Sequence, residues 1–284
     1  MNGSGLVGLI RTIAFLTLTF SIMPIQRLGL VLGLWYVATL PLWYHGWACW
    51  ILGMRIVVRG KPSPTHPTLF VSNHSSYFDI PVLASLFPCS FIAKADMIGW
   101  PLIGQLAKLQ RSVFVDRKPA NVSEHSDEIA RRLKAGDSLV LFAEGTTSDG
   151  NRILPFKSSL LSVAENAPPE MNLTIQPVSI IATRLDGMPL GRAMRPLYAW
   201  YGDMPLAPHA WAALKAGRLT IEVEFHEPFK VGAMNRKQIT RRCQDAVERG
   251  VVRAVTGRGY PEERAPDINT PEHAAPGDAV VAAA

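Results

Sequence analysis

A histidine and an aspartate five residues apart are the most chemically suggestive pair in this 284-residue chain. In the segment V-S-N-H-S-S-Y-F-D, His74 follows a predicted strand and Asp79 lies where a predicted helix begins. The turn between them would let the carboxylate reach one imidazole nitrogen and leave the other to take a proton from an alcohol. The spacing therefore predicts a general base, His74, oriented by Asp79. The alternative is a polar turn residue followed by a helix N-cap.

Two further segments that follow predicted strands contain groups that suit an anion. L-F-A-E-G-T-T-S-D-G includes Glu144, Gly145 and Thr146, and its glycine would let backbone N–H groups approach a ligand. The segment S-V-F-V-D-R ends at Arg117. Basic side chains beside these turns, which bind phosphate well, are Lys94, Arg117, Arg152 and Lys157. Taken singly, each is explained by an ordinary turn or a surface charge. Together, the three groups would meet along one sheet edge.

Alternating strands and helices are predicted from residue 68 onward, which is typical of an α/β sheet with helices packed on it. The predicted strands are 68–72, 91–94, 112–116, 138–143, 173–180, 197–200 and 219–225. The predicted helices are 80–87, 102–109, 122–135, 158–166 and 239–255. Because sheets of this class bind ligands at the carboxyl ends of their strands, His74 is expected at the functional edge.

The amino-terminal residues 1–54 are apolar, with two basic residues and no acidic one. An uncharged stretch, 12–23, is expected to stop at Pro24, and a second, 28–54, is long enough to span a bilayer. Two structures fit the second stretch: a transmembrane helix kinked at Pro41, or a pair of helices lying partly in one leaflet. A buried helical hairpin in a soluble core is the third alternative.

Composition and charge divide the chain into three parts. We predict membrane-associated helices over residues 1–54, the α/β domain over 55–257, and a disordered acidic tail rich in Ala and Pro over 258–284. The formal charge is +6, and Asp79 is the first acidic residue. A basic first part suits an anionic partner, and the hydrophobic fraction of 48% favours a membrane surface over nucleic acid.

Several classes of site are disfavoured by what the sequence lacks. Three cysteines, Cys49, Cys89 and Cys243, are far apart and show no C-x-x-C spacing, so we expect reduced thiols rather than a disulfide frame or a zinc site. Neither G-x-S-x-G nor H-E-x-x-H occurs, which argues against serine and zinc hydrolases. The nucleotide-binding motif G-x-x-x-x-G-K-[ST] is absent as well. No metal and no bound cofactor is expected.

Four ordered blocks of the sequence resemble glycerolipid acyltransferases, the lysophosphatidate acyltransferase group. They are N-H-S-S-Y-F-D, S-V-F-V-D-R, F-A-E-G-T and I-Q-P-V-S, and they lie in the family's order between residues 68 and 180. F-I-A-K-A-D and W-P-L-I-G, between the first two blocks, also resemble that family. The resemblance implies an α/β fold with a helix-flanked sheet and an amino-terminal membrane-associated helical hairpin.

The same resemblance implies transfer of a fatty acyl group from a thioester to the free hydroxyl of a lysolipid. His74 and Asp79 would form the catalytic dyad. The residues that would bind the acceptor are Phe114, Arg117, Glu144 and Gly145. Pro177 would line the acyl site. It further implies an acyl-length-measuring tunnel, acyl carrier protein or coenzyme A as donor carrier, and membrane lipids as partners. It also implies a bacterial origin. The basic residues after the apolar stretches favour the cytoplasmic side, so the expected location is the cytoplasmic face of a bacterial inner membrane; these residues are Arg27, Arg55, Arg59 and Lys61.

One departure from the family's third block bears on the acceptor. That block usually reads F-P-E-G-T-R-S, whereas here Ala143 replaces the proline and Thr147 replaces the arginine. The missing arginine would help to hold a phosphate, so either Arg117, Lys94 and Arg152 do so, or the acceptor has no phosphate monoester. The segment E-G-T-T-S-D-G-N-R-I-L-P-F-K also resembles the bacterial branch that acylates lyso-ornithine lipid.

These observations lead to a first prediction of a 1-acyl-sn-glycerol-3-phosphate O-acyltransferase that makes phosphatidate for phospholipid biosynthesis. A lyso-ornithine lipid O-acyltransferase is the alternative. A thioester or lipid hydrolase and a non-catalytic membrane adaptor are the remaining rivals, and the intact His74, Asp79 and Glu144 argue against the adaptor.

Overall fold

A mixed β-sheet runs through the centre of the computed structural model, which describes residues 3–115 and 122–258. Within those ranges the sheet has nine strands: β1 (Met54–Arg59), β2 (Thr68–Ser72), β3 (Ser90–Lys94), β4 (Val113–Val115), β5 (Leu139–Phe142), β6 (Thr174–Leu185), β7 (Met188–Pro189), β8 (Leu219–Phe225) and β9 (Phe229–Lys230). The strand order is β1-β8-β6-β2-β5-β3-β4, and β7 and β9 each pair with β6.

The strands β6, β2, β5, β3 and β4 are parallel neighbours, so their carboxyl ends share one edge of the sheet. Parallel strands need crossover connections, which explains the helices between them in the chain. All five residues of β2 are buried, which is typical of a strand covered on both faces. This edge is where sequence analysis placed the chemistry.

Helices cover both faces of the sheet. They are α1 (Gly5–Leu32), α2 (Leu40–Ile51), α3 (Asp79–Ala84), α4 (Ile103–Leu109), α5 (Val122–Lys134), α6 (Ser162–Glu165), α7 (Leu206–Lys215) and α8 (Arg236–Thr256). Because successive strand side chains point to opposite faces, Phe70 enters a core with residues of α2 and α3, while Leu69 enters a second core with residues of α5 and α8. The α/β class predicted from the sequence is confirmed.

The first helix, α1, exposes its large apolar side chains and buries its small and polar ones, the reverse of a helix in a soluble protein. Its exposed side chains are mostly large and apolar: Leu6, Leu9, Ile10, Ile13, Phe20, Ile25, Leu28, Val31 and Leu32. Its buried residues are small or polar: Gly8, Thr19, Gln26 and Gly29. The Thr19 hydroxyl hydrogen-bonds the Tyr44 hydroxyl of α2 at 2.9 Å, and Gln26 Nε2 donates to the Val37 carbonyl oxygen at 2.9 Å. Polar contacts thus join α1 to the protein while its apolar surface suits lipid.

Pro24 and Pro41 do not have the positions in the amino-terminal helices that the sequence predicted. The first helix runs through Pro24 instead of stopping there, and it ends at Gly33 in the left-handed conformation (φ 63°). Pro41 lies in the first turn of α2 rather than in mid-span, at a position where no helical N–H is needed. With 28 residues, α1 is long and apolar enough to cross a membrane by length and composition, whereas α2 has only 12.

Other differences from the predicted elements have local causes. Residues 197–200 were predicted as a strand, but a 3-10 helix over Arg192–Leu197 and a following turn occupy the region. Pro196 has no N–H to offer a neighbouring strand, which disfavours sheet pairing there. The helix α7 was missed because prolines at 205 and 208 obscure its start, and β1 was hidden at the end of the apolar stretch. The three cysteines are free thiols, as predicted. The predicted tail lies outside the described residues, apart from Arg258.

Candidate active site

The carboxyl ends of β2 and β5 bring two of the sequence segments together. The last residues of these strands, Ser72 and Phe142, are paired in parallel register. His74 follows β2 by two residues, and Glu144 follows β5 by two residues. The backbone N–H of His74 donates to Glu144 Oε1 at 2.7 Å. The meeting of these two segments at one sheet edge is as the sequence analysis expected.

His74 and Asp79 form a direct hydrogen bond, with 2.8 Å between His74 Nδ1 and Asp79 Oδ2. An ionised carboxylate only accepts hydrogen bonds, so Nδ1 carries the hydrogen and Nε2 keeps its lone pair. No residue in the described ranges hydrogen-bonds Nε2, and the His74 side chain is 17% exposed. The geometry therefore leaves Nε2 available to remove a proton from a hydroxyl group.

Asp79 is completely buried, and hydrogen-bond donors surround its carboxylate. In addition to His74, the backbone N–H groups of Ser75 and Ser76 donate to Oδ2 at 2.8 and 3.0 Å. The Tyr198 hydroxyl donates to the other oxygen, Oδ1, at 2.7 Å. A buried charge is costly unless it is hydrogen-bonded, and these donors supply that compensation. They also fix the direction in which the carboxylate faces the imidazole.

An aromatic ring packs against one face of the His74 imidazole and fixes the orientation of its plane. The Phe142 ring stacks on it with 3.8 Å between centroids and 13° between planes. Stacking on this face restricts rotation of the imidazole about its side-chain bonds. The backbone is fixed as well, because the Ser148 N–H donates to the His74 carbonyl oxygen at 2.9 Å.

Glu144 joins the histidine loop, residues 73–78 between β2 and α3, to the loop that follows β5. Its Oε1 accepts from the His74 N–H, and its Oε2 accepts from the Leu154 N–H at 2.8 Å. Only 1% of the residue is exposed, and burial raises the pKa of Glu144 to about 8 although both backbone hydrogen bonds favour the ionised form. Its contacts in this structure are with the protein itself, and its binding of an acceptor stays a prediction.

The glycine of the E-G-T turn has a structural reason to be glycine. Gly145 has a left-handed backbone (φ 66°), and a Cβ there would lie 3.2 Å from Lys157 Nζ. Lys157 therefore extends across the turn, with its ammonium group beside Gly145. Thr146 and Arg152 are exposed on the same loop. Their predicted contacts with a substrate remain predictions.

The other predicted binding residues lie at neighbouring strands. Lys94 is the last residue of β3, and Phe114 lies in β4 opposite Ala93. Pro177 is buried in β6, paired with Val71 of β2. Arg117 lies outside the described residues. The structure thus places Lys94 and Phe114 at or near the edge that carries His74, while Pro177 lies in the adjoining strand.

Two residues that touch the dyad were not singled out from the sequence. Phe142 belongs to the segment that contains Glu144, but nothing in the spacing showed that its ring would stack on an imidazole. Tyr198 is 119 residues from Asp79 along the chain and lay in a segment predicted to be a strand. Only the three-dimensional arrangement reveals it.

Comparison with known proteins now decides the family. Residues 55–181 match the family model described as Acyltransferase. Over 254 residues, the chain is 43% identical to a lyso-ornithine lipid O-acyltransferase of Brucella abortus (strain 2308), which covers 88% of this chain and 95% of that protein. This chain belongs to the glycerolipid acyltransferase family.

A second relative and a solved structure agree with this assignment. A 1-acyl-sn-glycerol-3-phosphate acyltransferase of Neisseria gonorrhoeae is 31% identical over 169 residues, which covers 58% of this chain and 62% of that protein. The crystal structure of the 1-acyl-sn-glycerophosphate acyltransferase of Thermotoga maritima superposes with a TM-score of 0.61 at 19% identity, covering 86% of this chain and 96% of that one. This likeness shows the fold alone. The protein is an O-acyltransferase, its substrates are a lipid and an acyl donor, and its apolar first helix associates it with a membrane.

Proposed function

We propose that this acyltransferase moves a fatty acyl group from a thioester to the free hydroxyl of lyso-ornithine lipid. The observation that carries the choice of acceptor is the 43% identity to the Brucella abortus protein over 95% of its length. The Neisseria gonorrhoeae relative, which acts on 1-acyl-sn-glycerol 3-phosphate by its name, is less similar and matches a shorter part of the chain. The comparisons therefore favour the alternative from the sequence analysis over its first prediction.

The loop after β5 supports an acceptor without a phosphate monoester. Thr147 stands where the family's third block usually has arginine, so the fork of N–H donors that suits a phosphate is missing from that position. Lys157 lies across Gly145 and provides a single ammonium group near the turn. A lone ammonium group is sufficient for one carboxylate oxygen, which an amino-acid head group such as ornithine offers.

The dyad supplies the chemistry in two proton movements. His74 Nε2 removes the proton of the acceptor hydroxyl as its oxygen attacks the thioester carbonyl carbon. Asp79 stabilises the resulting imidazolium through Nδ1 and keeps the ring in position. When the tetrahedral intermediate collapses, the carbon–sulfur bond breaks, an ester remains on the acceptor, and the imidazolium proton passes to the departing thiolate. A positioned general base of this kind contributes about 10²–10⁴-fold to the rate.

The donor and the location complete the proposal. The donor carrier is acyl carrier protein or coenzyme A, since both present an acyl thioester. Residues 1–61 contain five basic residues and no acidic residue, and such a bias around apolar helices favours the cytoplasmic face of a bacterial inner membrane. The exposed apolar surface of α1 would then place the carboxyl edge of the sheet within reach of lipid substrates.

The direct test is acyl transfer by the purified full-length protein in phospholipid vesicles. Lyso-ornithine lipid and lysophosphatidate are offered separately and in competition, each with an acyl carrier protein thioester and a coenzyme A thioester. We expect kcat/KM for lyso-ornithine lipid to exceed that for lysophosphatidate by about tenfold or more. Transfer to lysophosphatidate alone would contradict the proposed acceptor. Release of thiol without acylated lipid would indicate a hydrolase.

A substitution sharpens the same test. In Thr147→Arg, a guanidinium returns to the position where the family block has one, and we expect the ratio of the two kcat/KM values to move toward lysophosphatidate by about tenfold. Thr147→Lys is the matched control, because it adds the charge without the planar fork of donors. An unchanged ratio in both variants would mean that position 147 does not contact the head group.

A further inference from the structure

A short segment outside the matched region reaches into the dyad. Residues 192–200 follow β7, beyond residue 181 where the family match ends. The Tyr198 hydroxyl donates to Asp79 Oδ1 at 2.7 Å, and Tyr198 is only 1% exposed. Two residues later, the backbone N–H of Trp200 donates to the Ser75 carbonyl oxygen at 2.8 Å. One segment therefore contacts both the carboxylate and the turn that joins it to His74.

The two oxygens of Asp79 have different partners. Oδ2 accepts from His74 Nδ1 and from the backbone N–H groups of Ser75 and Ser76. Oδ1 accepts from Tyr198. Without the phenol, Oδ1 would be a charged oxygen in a buried site with that donor gone, which is costly. Burial beside the Asp79 charge raises the pKa of Tyr198 well above its ordinary value, so the phenol stays a donor wherever the enzyme works.

We propose that Tyr198 is a positioning residue for the acyl transfer: its hydroxyl orients Asp79 and sets how strongly that carboxylate holds the His74 imidazolium. A donor on Oδ1 draws negative charge away from Oδ2. When the donor is removed, more charge remains on Oδ2, and the imidazolium is held more tightly. His74 then keeps its proton to a higher pH, so at a given pH a smaller fraction of the enzyme has Nε2 free to accept a proton. The proposal rests on the proposed role of His74, but not on the identity of the acceptor.

The rest of the segment is anchored to the loop that follows β5. Arg195 is buried, and its Nη1 donates to the Gly150 carbonyl oxygen and to Asn151 Oδ1, both at 3.2 Å. A Cβ on Gly150 would lie 3.3 Å from the Cβ of Ala199, so the two chains pack closely. The chain is therefore anchored both before Tyr198, at Arg195, and after it, at Ala199. This fixes the direction of the Tyr198 hydroxyl.

Other titratable groups face this pair from neighbouring elements. Glu144 and His74 face Asp79 from the strand ends, Cys49 faces Tyr198 from α2, and Tyr77 faces it from the histidine loop. Burial raises the pKa of Cys49 to about 12, so this thiol is neutral in the working range. Glu144 is present in both the Tyr198→Phe and the Tyr77→Phe protein, so a change in pH profile confined to Tyr198→Phe is assigned to the lost phenol.

The test compares Tyr198→Phe with Tyr77→Phe in vesicles, using whichever lysolipid the wild-type enzyme acylates. The control removes an equivalent hydroxyl that bonds His209 Nδ1 at 2.9 Å instead of Asp79. For Tyr198→Phe we expect kcat to fall about ten- to hundredfold, with KM for both substrates within about twofold, because a hydrogen bond to a charged group is lost. The acid limb of kcat/KM against pH should move to higher pH. In Tyr77→Phe the acid limb should stay in place.

A graded donor separates positioning from folding. With 3-fluorotyrosine at residue 198 the phenol is a stronger donor of nearly the same shape, and the acid limb should move in the opposite direction. Circular dichroism and thermal unfolding give the folded fraction of each protein, to which the rates are normalised. Two outcomes overturn the proposal: a normalised kcat within about twofold of wild type in Tyr198→Phe, or an acid limb at the same pH for all three side chains. Failure to acylate lyso-ornithine lipid overturns only the proposed acceptor.

Discussion

Two histidine–carboxylate pairs lie within residues 3–115 and 122–258, and of these only the His74–Asp79 pair has an accessible, unpaired ring nitrogen. Besides His74 and Asp79, the structure has His226, whose Nδ1 is 3.6 Å from Glu224 Oε1 and whose Nε2 is 3.1 Å from the Ser179 hydroxyl. By residue types, the second cluster is the more complete one. It has the acid, the base and the hydroxyl nucleophile of a serine hydrolase.

Packing closes the second cluster. Ser179 is 3% exposed, and Gly250 of α8 lies against it so closely that a Cβ at residue 250 would be 2.6 Å from His226 Cε1. No carbonyl group could approach the hydroxyl. Arg253 also bonds Glu224, and burial lowers the pKa of His226 to about 4. Residue types and hydrogen-bond distances are thus insufficient to identify an active site. Access to an unpaired nitrogen separates His74 from His226.

The largest expected effect is loss of the accessible histidine. His74→Ala removes the proposed base, so acyl transfer should fall by about 10²–10⁴-fold. In His226→Ala, normalised to folded protein, the rate should stay within about threefold of wild type, because the closed cluster does not contact substrate. The measurement is kcat of both variants in the vesicle assay. Equal losses in the two variants would remove the distinction between the two clusters.

The acid of the dyad should matter almost as much as the base. In Asp79→Asn, the new amide can donate to Nδ1 and place the imidazole hydrogen on Nε2, where it blocks proton removal. We expect kcat to fall by about 10²–10⁴-fold with little change in KM. Glu224→Gln is the matched substitution in the closed cluster. It should change unfolding temperature but leave the rate per folded molecule unaltered, and a comparable loss of rate there would contradict the comparison.

A smaller effect tests the packing that closes the second cluster. Gly250→Ala places a methyl group against Ser179 and His226, so the free energy of unfolding should fall by about 1–3 kcal/mol. Gly46→Ala in α2 is the control, because a Cβ there meets nothing within 4 Å. The measurement is denaturant unfolding of both variants. If Gly250→Ala were as stable as the control, the space around Ser179 and His226 would be large enough for a methyl group. The argument that packing excludes a substrate from Ser179 would then fail, and the hydrolase alternative would regain support.

The accessible site was predictable because its parts are local or depend on parallel strands. His74 and Asp79 are separated by a single turn, so their pairing needs only a strand end and a helix start. The approach of His74 to Glu144 follows because β2 and β5 are parallel neighbours that end at the same level. The first step needs only local sequence, whereas the second also needs β2 and β5 to be neighbours in the sheet, which the structure supplies.

Other features depended on contacts that no local pattern encodes. Tyr198 meets Asp79 only because a 3-10 helix containing Pro196 packs beside the histidine loop. The continuation of α1 through Pro24 was missed because an apolar helix facing outward tolerates a proline that would end an ordinary helix. The false resemblance of Ser179 and His226 to an active site appears only in three dimensions, and so does its closure by Gly250.

The smallest expected effect on the rate is none at all, in a variant that changes only how stability depends on pH. Because the folded-state pKa of His226 is about 4 and the ordinary value is 6.5, the unfolded chain binds a proton first as the pH falls. The stability from the neutral, buried imidazole is therefore fully present above about pH 6.5 and is lost as the pH falls toward 4. In His226→Gln this dependence should disappear, which reduces the slope of unfolding free energy by about 1.4 kcal/mol per pH unit at most.

The control for this prediction is the same pair of proteins at pH 8, where both side chains are neutral and only packing differs. Urea unfolding at intervals from pH 4 to 8 gives the difference in slope. The acid limb of kcat/KM should coincide in the two proteins, because a sealed imidazole titrates with folding and not with catalysis. A shift of that limb in His226→Gln would mean that the closed cluster communicates with the dyad. Both histidines would then have to be considered parts of one site.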